Sequence, residues 1–214
     1  MEVLRRRPGD SFDAGVVNGP RGKATLDAVT VDSLHLSFAW HEERRSADPI
    51  TLIVGLPRPQ TARDILRDAT TLGVSAIQFV RTAKGDANYA QSTLWSSGEW
   101  RRHLVNGAEQ AFDTRVPEVT FTATLRDTVA SLDQTAIRIA LDNYESTARL
   151  GECSVRAGES ILLAIGGERG WSGDDRTALR EHGFTLFHLG PRVLRTETAT
   201  VAALAIIRSK IGLI

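Results

Sequence analysis

Residues 188–210, which read HLGPRVLRTETATVAALAIIRSK, combine groups able to bind an anionic ligand. The pattern predicts a short apolar strand, a Gly-Pro turn, two arginines (Arg192 and Arg195), and an apolar helix that opens with Thr-Glu-Thr. A turn that only reverses the chain needs Gly and Pro, but not arginine and glutamate at the mouth of an apolar helix. The segment therefore predicts a binding site at the helix entrance.

Two further loops favour the same kind of site. The runs TAIRIALD, SILLAIGG and TLFHLG predict three short buried strands, followed by DNYESTARLGE, GGERG and GPRVLRTET respectively. Open parallel sheets bind ligands beyond the carboxyl ends of their strands, where glycine amides and helix starts approach the ligand closely. The predicted ligand is nucleotide-like. GGERG matches neither the dinucleotide fingerprint nor the P-loop, and taken alone it is typical of a plain strand-to-helix turn.

The elements that position these loops are predicted to alternate between strand and helix from residue 50 onward. ITLIVGL (50–56) and SAIQFV (75–80) are typical of buried parallel strands, and TARDILRDATTLGV of a helix that ends at Gly73. The segment 94–112 predicts a single helix, and Ser172 with Asp175 predicts a capping box for a helix that stops at Gly183. The expected fold class is α/β with a mostly parallel sheet.

The first part of the chain is expected to form a separate small domain. Three alternating runs, SFDAGVVNG, KATLDAVTV and LHLSFAW, are separated by turn residues and predict a small antiparallel sheet or barrel. The charged segment HEERRSADP follows, so the domain boundary is placed near Ala47, between a domain of residues 1–46 and one of residues 47–214.

Composition excludes several classes of protein. The formal net charge is zero, which argues against a protein that coats nucleic acid by charge alone. Cys153 is the only cysteine, so no intramolecular disulfide is expected, and its surroundings predict an exposed, inert thiol. The five histidines show no zinc-ligand spacing. No apolar run is long enough for a membrane span and no secretory signal is evident, so a cytoplasmic location is expected.

At this point the residues resemble a known family. LGPRVLRTETA (189–199), preceded by IGGERGWSGDD (165–175), closely resembles the signature of the ribosomal small-subunit RNA uridine-N(3)-methyltransferases, a branch of the SPOUT class. That branch reads Leu-Gly-x-Arg-Ile-Leu-Arg-x-Glu-Thr-Ala, and only Val193 departs from its fixed positions. VLRRRPGDSFD, LPRPQTARDILRDATTLGV and NGAEQAFDTRVPEV extend the likeness over nearly the whole chain.

The resemblance implies an architecture and an activity. The fold is expected to be a SPOUT-type trefoil-knotted α/β methyltransferase domain, preceded by a small PUA-like RNA-binding β-barrel that is short at its N-terminus. The expected activity is transfer of a methyl group from S-adenosylmethionine to N(3) of a uridine in ribosomal RNA, free or within the small ribosomal subunit. A homodimer without metal and without membrane association is implied as well.

The resemblance also implies site residues. Arg195 is expected to hold the base carbonyl or a flanking phosphate, and Glu197 to orient that arginine or help remove a proton, although a carboxylate is also simply favoured at a helix N-terminus. The expected cofactor-binding residues are Leu141, Gly166, Gly167, Glu168, Gly170, Leu189, Gly190, Leu194, Arg195, Thr196 and Thr198. The expected RNA contacts are Arg5, Arg6, Arg7, Arg21 and Arg58, each with solvated surface as the alternative.

Some positions depart from the family pattern. Gly167 replaces a proline and Arg169 a glycine in the cofactor loop, Asp113 stands for an arginine, and Thr71 stands for a glutamate. Arg58 keeps the charge of the usual lysine. The alternative hypothesis is therefore a non-catalytic or retargeted RNA-binding paralog. The last helix is apolar on all sides between residues 201 and 207, which fits either a dimer interface or full burial within one chain.

Overall fold

The computed structural model describes residues 6–41, 46–121, 123–133 and 135–214. The predicted antiparallel sheet of the first part is present as β1 (Ser11–Gly15), β2 (Arg21–Val29) and β3 (Leu34–His41), in the order β1-β2-β3. Both pairings are antiparallel, with a register shift in β2 between Leu26 and Ala28. These residues form a three-stranded sheet, so the closed PUA-like barrel stays a prediction.

A seven-stranded sheet forms the centre of the remaining chain. Its strands are β4 (Asp48–Gly55), β5 (Val74–Val80), β6 (Glu118–Thr120), β7 (Ile137–Leu141), β8 (Ala148–Arg149), β9 (Ile161–Ile165) and β10 (Thr185–His188). The order across the sheet is β6-β5-β4-β9-β7-β10-β8, and the described pairings are all parallel. The predicted α/β class with a mostly parallel sheet is confirmed.

Helices cover both faces of this sheet. They are α1 (Pro59–Thr71), α2 (Thr93–Ser96), α3 (Glu99–Gln110), α4 (Leu125–Ser131), α5 (Gly173–Glu181) and α6 (Thr196–Lys210). Short 3-10 turns occur at Ala87–Gln91 and Leu150–Glu152. The prediction of a single helix over residues 94–112 was wrong. Gly98 adopts a left-handed φ of 76°, which ends α2 and starts α3 at a new angle.

The two faces of the sheet are packed by alternate residues of the same strands. In β4, Ile50, Leu52 and Val54 join the larger core, which also contains residues of α1, α3 and α6. Ile53 points to the other face and joins the smaller core, which contains residues of α4 and α5. Period-two alternation therefore makes a three-layer α/β arrangement with the sheet in the middle.

The position of Cys153 differs from the sequence-based prediction. The thiol was expected to be exposed, but only 4% of the residue is accessible, and it belongs to the larger core beside α6. A 3-10 turn at Leu150–Glu152 carries the chain inward just before it. Burial raises the pKa of the Cys153 thiol, so the expectation of an unreactive thiol agrees with its surroundings.

The small sheet is attached to the α/β part by a compact set of hydrogen bonds. The amide of Asn18 donates to the carbonyl of Thr114 (2.8 Å), and the Thr114 hydroxyl donates to the carbonyl of Gly19 (2.7 Å). The Arg21 guanidinium donates to the carbonyl of Phe112 at 2.8 Å and lies over its ring. The junction therefore consists of directional contacts to the segment that follows α3.

No helix within the described ranges has the length and hydropathy required to cross a bilayer.

Candidate active site

The three predicted loops converge on one cleft of about 750 Å³. The loop after β4 and the first turns of α1 form its remaining wall. The strands that precede GGERG and GPRVLRTET follow one another along the chain, but β7 lies between them in the sheet. The loop after β7 therefore lies between these two loops at the edge of the sheet.

Most of the predicted cofactor residues line this cleft. They are Leu141, Gly166, Gly167, Glu168, Gly170, Leu189, Leu194, Arg195 and Thr196, and Arg58 and Glu197 line it as well. Gly190 and Thr198 belong to the same segment but are not among the lining residues. Sequence reasoning missed several residues of the wall: Gln60, Thr61, Asp64, Asp142, Asn143, Tyr144, Trp171 and Ala199.

The glycines of the GGERG loop allow close backbone packing. The amide of Gly170 donates to the carbonyl of Gly167 (2.9 Å), and Gly170 has a left-handed φ of 62°. A Cβ on Gly166 would lie 2.9 Å from the Cα of Gly170, and one on Gly55 would lie 2.6 Å from the amide nitrogen of Gly167. The end of β4 therefore supports the loop by direct backbone contact that a side chain would prevent.

Glu168 joins this loop to the start of α1. Its Oε1 accepts a hydrogen bond from the backbone amide of Arg58 at 3.0 Å and lies 3.7 Å from the Arg58 Nε. The Glu168 side chain is a quarter exposed, whereas that of Arg58 is mostly exposed. Glu168 therefore fixes the position of two opposing walls, while the Arg58 guanidinium is accessible to a ligand.

Trp171 anchors the other end of the loop. It is fully buried, and its indole Nε1 donates to the carbonyl of Leu141 at the end of β7 (2.9 Å). Its own carbonyl accepts from the Nζ of Lys84 at 2.9 Å. The sequence shows a large aromatic residue directly after a glycine-rich loop, which is the pattern that could have indicated an anchor. The partner of Trp171 lies 30 residues away in the chain, so only the fold identifies it.

A nearly buried ion pair holds the loop after β7. The Asp142 Oδ2 accepts from the Arg176 Nε at 2.7 Å, and the two side chains are 2% and 8% exposed. The Asp142 Oδ1 accepts from the backbone amides of Tyr144 (2.8 Å) and Glu145 (2.6 Å). Asp142 thereby fixes the start of the loop, and Arg176 connects it to α5, whose predicted Ser172–Asp175 capping box is present.

The entrance of α6 matches the opening sequence pattern. Gly190 turns with a left-handed φ of 107°, and its amide donates to the His188 Nδ1 at 3.0 Å. Arg195 occupies the N-cap position in an extended conformation, and its side chain makes no capping hydrogen bond. Glu197 lies half-buried in the first turn, and the described residues show no ion pair between it and Arg195. Its role in orienting that arginine stays a prediction.

Unpaired arginines surround the mouth of the cleft. Arg169, Arg192 and Arg195 are exposed, line the cleft, and form no ion pair with any described residue. Arg169, which replaces the family glycine, lies on the rim, with its carbonyl 3.4 Å from the Lys84 Nζ. The lining carboxylates Asp64, Asp142 and Glu168 are each held in an ion pair, so the unpaired charge at this opening is mainly positive and would attract phosphate groups.

The arginines predicted for RNA binding in the first domain lie elsewhere. Arg6 is exposed over the Phe12 ring at 6.0 Å, Arg7 is exposed, and Arg21 is engaged at the junction with Phe112. Arg5 lies outside the described residues. None of the described three lines the cleft. Their RNA contacts stay predictions.

Across the described ranges, no group of three or more His, Cys, Asp or Glu side chains is arranged to hold a metal ion.

Comparison with known proteins assigns the class. A family model described as an RNA methyltransferase domain matches residues 44–208, which include every loop of the cleft. The chain belongs to this RNA methyltransferase family. Within it, the chain is similar to proteins named ribosomal RNA small subunit methyltransferase E, so the resemblance seen in residues 165–175 and 189–199 is confirmed.

The relatives cover almost the whole chain. The ribosomal RNA small subunit methyltransferase E of Treponema pallidum is 35% identical over 211 residues, covering 96% of this chain and 79% of that protein. Ribosomal RNA small subunit methyltransferase E 1 of Borreliella burgdorferi is 24% identical, with 99% and 88% covered. A crystal structure of a ribosomal RNA small subunit methyltransferase E from Neisseria gonorrhoeae, bound to S-adenosyl methionine, has the same fold, with a TM-score of 0.84 and 23% identity. The match covers 98% of this chain and 87% of that one.

Proposed function

We propose that this protein transfers a methyl group from S-adenosylmethionine to N(3) of a uridine in small-subunit ribosomal RNA. The observation that carries the proposal is that the two family segments, 165–175 and 189–199, both line one cleft, whose mouth carries unpaired arginines. Membership of the RNA methyltransferase family and the named relatives support the reaction class and the substrate.

The residues of the cleft fit the proposed cofactor. Its volume of about 750 Å³ lies within the range usual for pockets that bind small ligands. Leu141, Ile165 and Leu189 provide apolar wall, and the carboxylate of Glu197 provides negative charge for a cationic ligand. Gly170, with its left-handed φ, leaves space above the backbone of the cleft, since a Cβ there would meet no atom within 4 Å.

The proposed chemistry requires a positioned base that has lost a proton. When bound, the cofactor supplies a methyl group made electrophilic by the positive sulfur to which it is attached. Uridine N(3) loses its imide proton as the new bond forms, so negative charge develops on the ring and its carbonyl oxygens. Arg195, exposed and unpaired at the rim, is placed to stabilise that charge, and Glu197 is the proposed proton acceptor.

RNA binding is proposed to use two surfaces. Arg58, Arg169, Arg192 and Arg195 would neutralise phosphates around the target nucleotide. The small sheet, as part of a PUA-like barrel, would hold a more distant part of the RNA through Arg5, Arg6, Arg7 and Arg21. Because N(3) is engaged in Watson–Crick pairing, the target uridine must be unpaired or flipped out of a helix.

The trefoil knot, the homodimer and the cytoplasmic location complete the proposal. The knot rests on the family resemblance of residues 165–175 and 189–199. The packing of α6 on α1 and the hydrogen bond from the Lys210 Nζ to the carbonyl of Gly151 (2.7 Å) are compatible with it. The surface of α6 supports the dimer. Val201 on this helix is 38% exposed, and Ile214 beyond it is 67% exposed, so full burial within one chain is not observed.

The experiment incubates the purified protein with unmodified small ribosomal subunits and labelled S-adenosylmethionine. The modified position is then mapped by reverse transcription, which stops at a uridine methylated on its pairing edge. Label in the RNA with a single stop is the expected result. Arg195→Ala is expected to abolish transfer, whereas Arg192→Ala, in the same loop, should mainly weaken RNA binding. Cofactor binding without transfer would favour the non-catalytic RNA-binding paralog instead.

A further inference from the structure

Tyr144 is an exposed aromatic residue at the mouth of the cleft. It follows β7 by three positions, lines the cleft, and remains 78% exposed. The adjacent residues Asn143 and Glu145 are exposed as well. The Tyr144 ring therefore contributes little to the core, although the loop that carries it is anchored by Asp142.

The base of this residue is fixed by buried charge. The Tyr144 amide donates to the Asp142 Oδ1 at 2.8 Å, and the other oxygen of Asp142 pairs with Arg176. A buried ion pair contributes little net stability, because desolvation offsets the attraction between the charges. The clearest effect of this one is to hold the loop that carries Tyr144, since both oxygens of Asp142 are used to position it.

Two cations lie over the Tyr144 ring. The Arg176 Cζ is 5.3 Å and the Lys84 Nζ is 6.0 Å from the centroid of the Tyr144 ring. Arg176 is buried against Asp142, and Lys84 is held by the carbonyl of Trp171 at 2.9 Å. Arg176 is neutralised by its ion pair, so the exposed Lys84 is the cation that a phosphate could reach. An aromatic ring that stays 78% exposed next to this lysine matches a planar base that carries a phosphate. Proteins that bind single-stranded RNA combine the same two elements.

We propose that Tyr144 stacks on the nucleobase that accepts the methyl group. This inference rests on the proposed function and adds the residue that holds the acceptor ring against the cleft. The exposed position favours the RNA base over the adenine of the cofactor, which would be enclosed by the 166–170 and 189–195 loops. Tyr144 touches the substrate and takes no part in bond making or proton transfer.

The experiment compares Tyr144→Ala with Tyr144→Phe, which keeps the ring and removes the hydroxyl. With unmodified small ribosomal subunits, Tyr144→Ala is expected to lower kcat/KM for the subunits about 5- to 150-fold, the usual effect of losing one base stack. Tyr144→Phe should retain most of the activity. Calorimetric titration with S-adenosylmethionine should give the same affinity for all three proteins, and their unfolding temperatures should agree because the ring is exposed.

A binding measurement tests the inference without turnover. Fluorescence anisotropy, with the protein saturated with S-adenosylhomocysteine, compares a uridine hexamer with an abasic hexamer that carries the same phosphates. The wild-type protein should prefer the uridine hexamer, and Tyr144→Ala should lose that preference while binding the abasic hexamer unchanged. Retention of the preference by Tyr144→Ala would overturn the proposal.

Two further outcomes separate this inference from the proposed function. A loss of S-adenosylmethionine affinity in Tyr144→Ala would assign the ring to the cofactor and overturn the stacking role, with the methyltransferase function intact. If the wild-type protein transfers no methyl group to the subunits, the proposed function fails, and the hexamer comparison still decides whether Tyr144 stacks on a base.

Discussion

Arg176 and Asp142 form an ion pair with a separation of 2.7 Å directly behind the cleft, with side chains 8% and 2% exposed. The Asp142 carboxylate shares its two oxygens between this pair and the amides of the loop that follows. The pair therefore connects α5 to the loop after β7. Substitution of either residue measures how much the pair contributes to the free energy of unfolding.

Arg176→Met should destabilise the fold by about 3–5 kcal/mol, because it leaves the buried Asp142 carboxylate without its partner of opposite charge. Asp142→Asn in the same chain should recover part of this loss, because the amide oxygen still accepts from Tyr144 and Glu145. Chemical denaturation of the wild type, both single variants and the double variant measures the coupling. Strictly additive effects would show that the two residues do not act as a pair.

Glu168→Ala should weaken S-adenosylmethionine binding about tenfold, because the GGERG loop loses its hydrogen bond to the start of α1. Glu168→Gln is the matched control. Its amide oxygen still accepts from the Arg58 amide, so it should bind nearly as well as the wild type in calorimetry. If Glu168→Gln binds as weakly as Glu168→Ala, the carboxylate charge acts on the ligand directly and the positioning role is wrong.

Gly55→Ala should destabilise the protein by about 1–3 kcal/mol, because its Cβ would lie 2.6 Å from the backbone nitrogen of Gly167, which has no side chain to move aside. The same displacement should weaken cofactor binding. Gly151→Ala is the control, since its Cβ would meet no atom within 4 Å. Thermal unfolding and calorimetry check both variants, and equal behaviour of the two would contradict the close packing of β4 on the loop.

Arg208→Ala should destabilise the protein by about 1–3 kcal/mol at neutral pH, and by less in mild acid. Burial raises the pKa of Asp48, and the attraction of Arg208, 2.7 Å away, opposes that rise. Without the arginine the folded pKa climbs further. The contribution of Asp48 to stability is then fully present below its unfolded pKa and is lost as pH rises through the folded pKa.

Urea denaturation between pH about 5 and about 7 measures this dependence. The double variant Asp48→Asn with Arg208→Ala lacks the titrating group, so the difference between the two pH values should shrink. A destabilisation by Arg208→Ala that does not vary over this range would mean that the arginine stabilises α6 through its aliphatic stem alone.

Much of the fold followed from local patterns. The apolar runs of β4, β5, β7, β9 and β10 and the cap of α5 are properties of neighbouring residues, so periodicity and turn chemistry predict them. The family segments identified most of the cleft wall for the same reason, since each is continuous in sequence. These are the parts of the structure that need no knowledge of which strands become neighbours.

The features that the sequence did not predict are not properties of neighbouring residues. The burial of Cys153, the pairing of Asp142 with Arg176 and the position of β7 between β9 and β10 all depend on contacts between distant segments. Periodicity carries no information about those contacts. Gly98 is a different case, because a glycine inside an apolar helical pattern is compatible with both a continuous and an interrupted helix until its φ is known.

The wall formed by residues 189–199 has a consequence for biosynthesis. The other walls of the cleft, near residues 58, 142 and 168, leave the ribosome first, but they enclose a ligand only after this segment and α6 arrive. Arg208 then reaches back across 160 positions to Asp48. A nascent chain that stops short of this segment therefore lacks an enclosed ligand site, and binding competence should appear in one late step of translation.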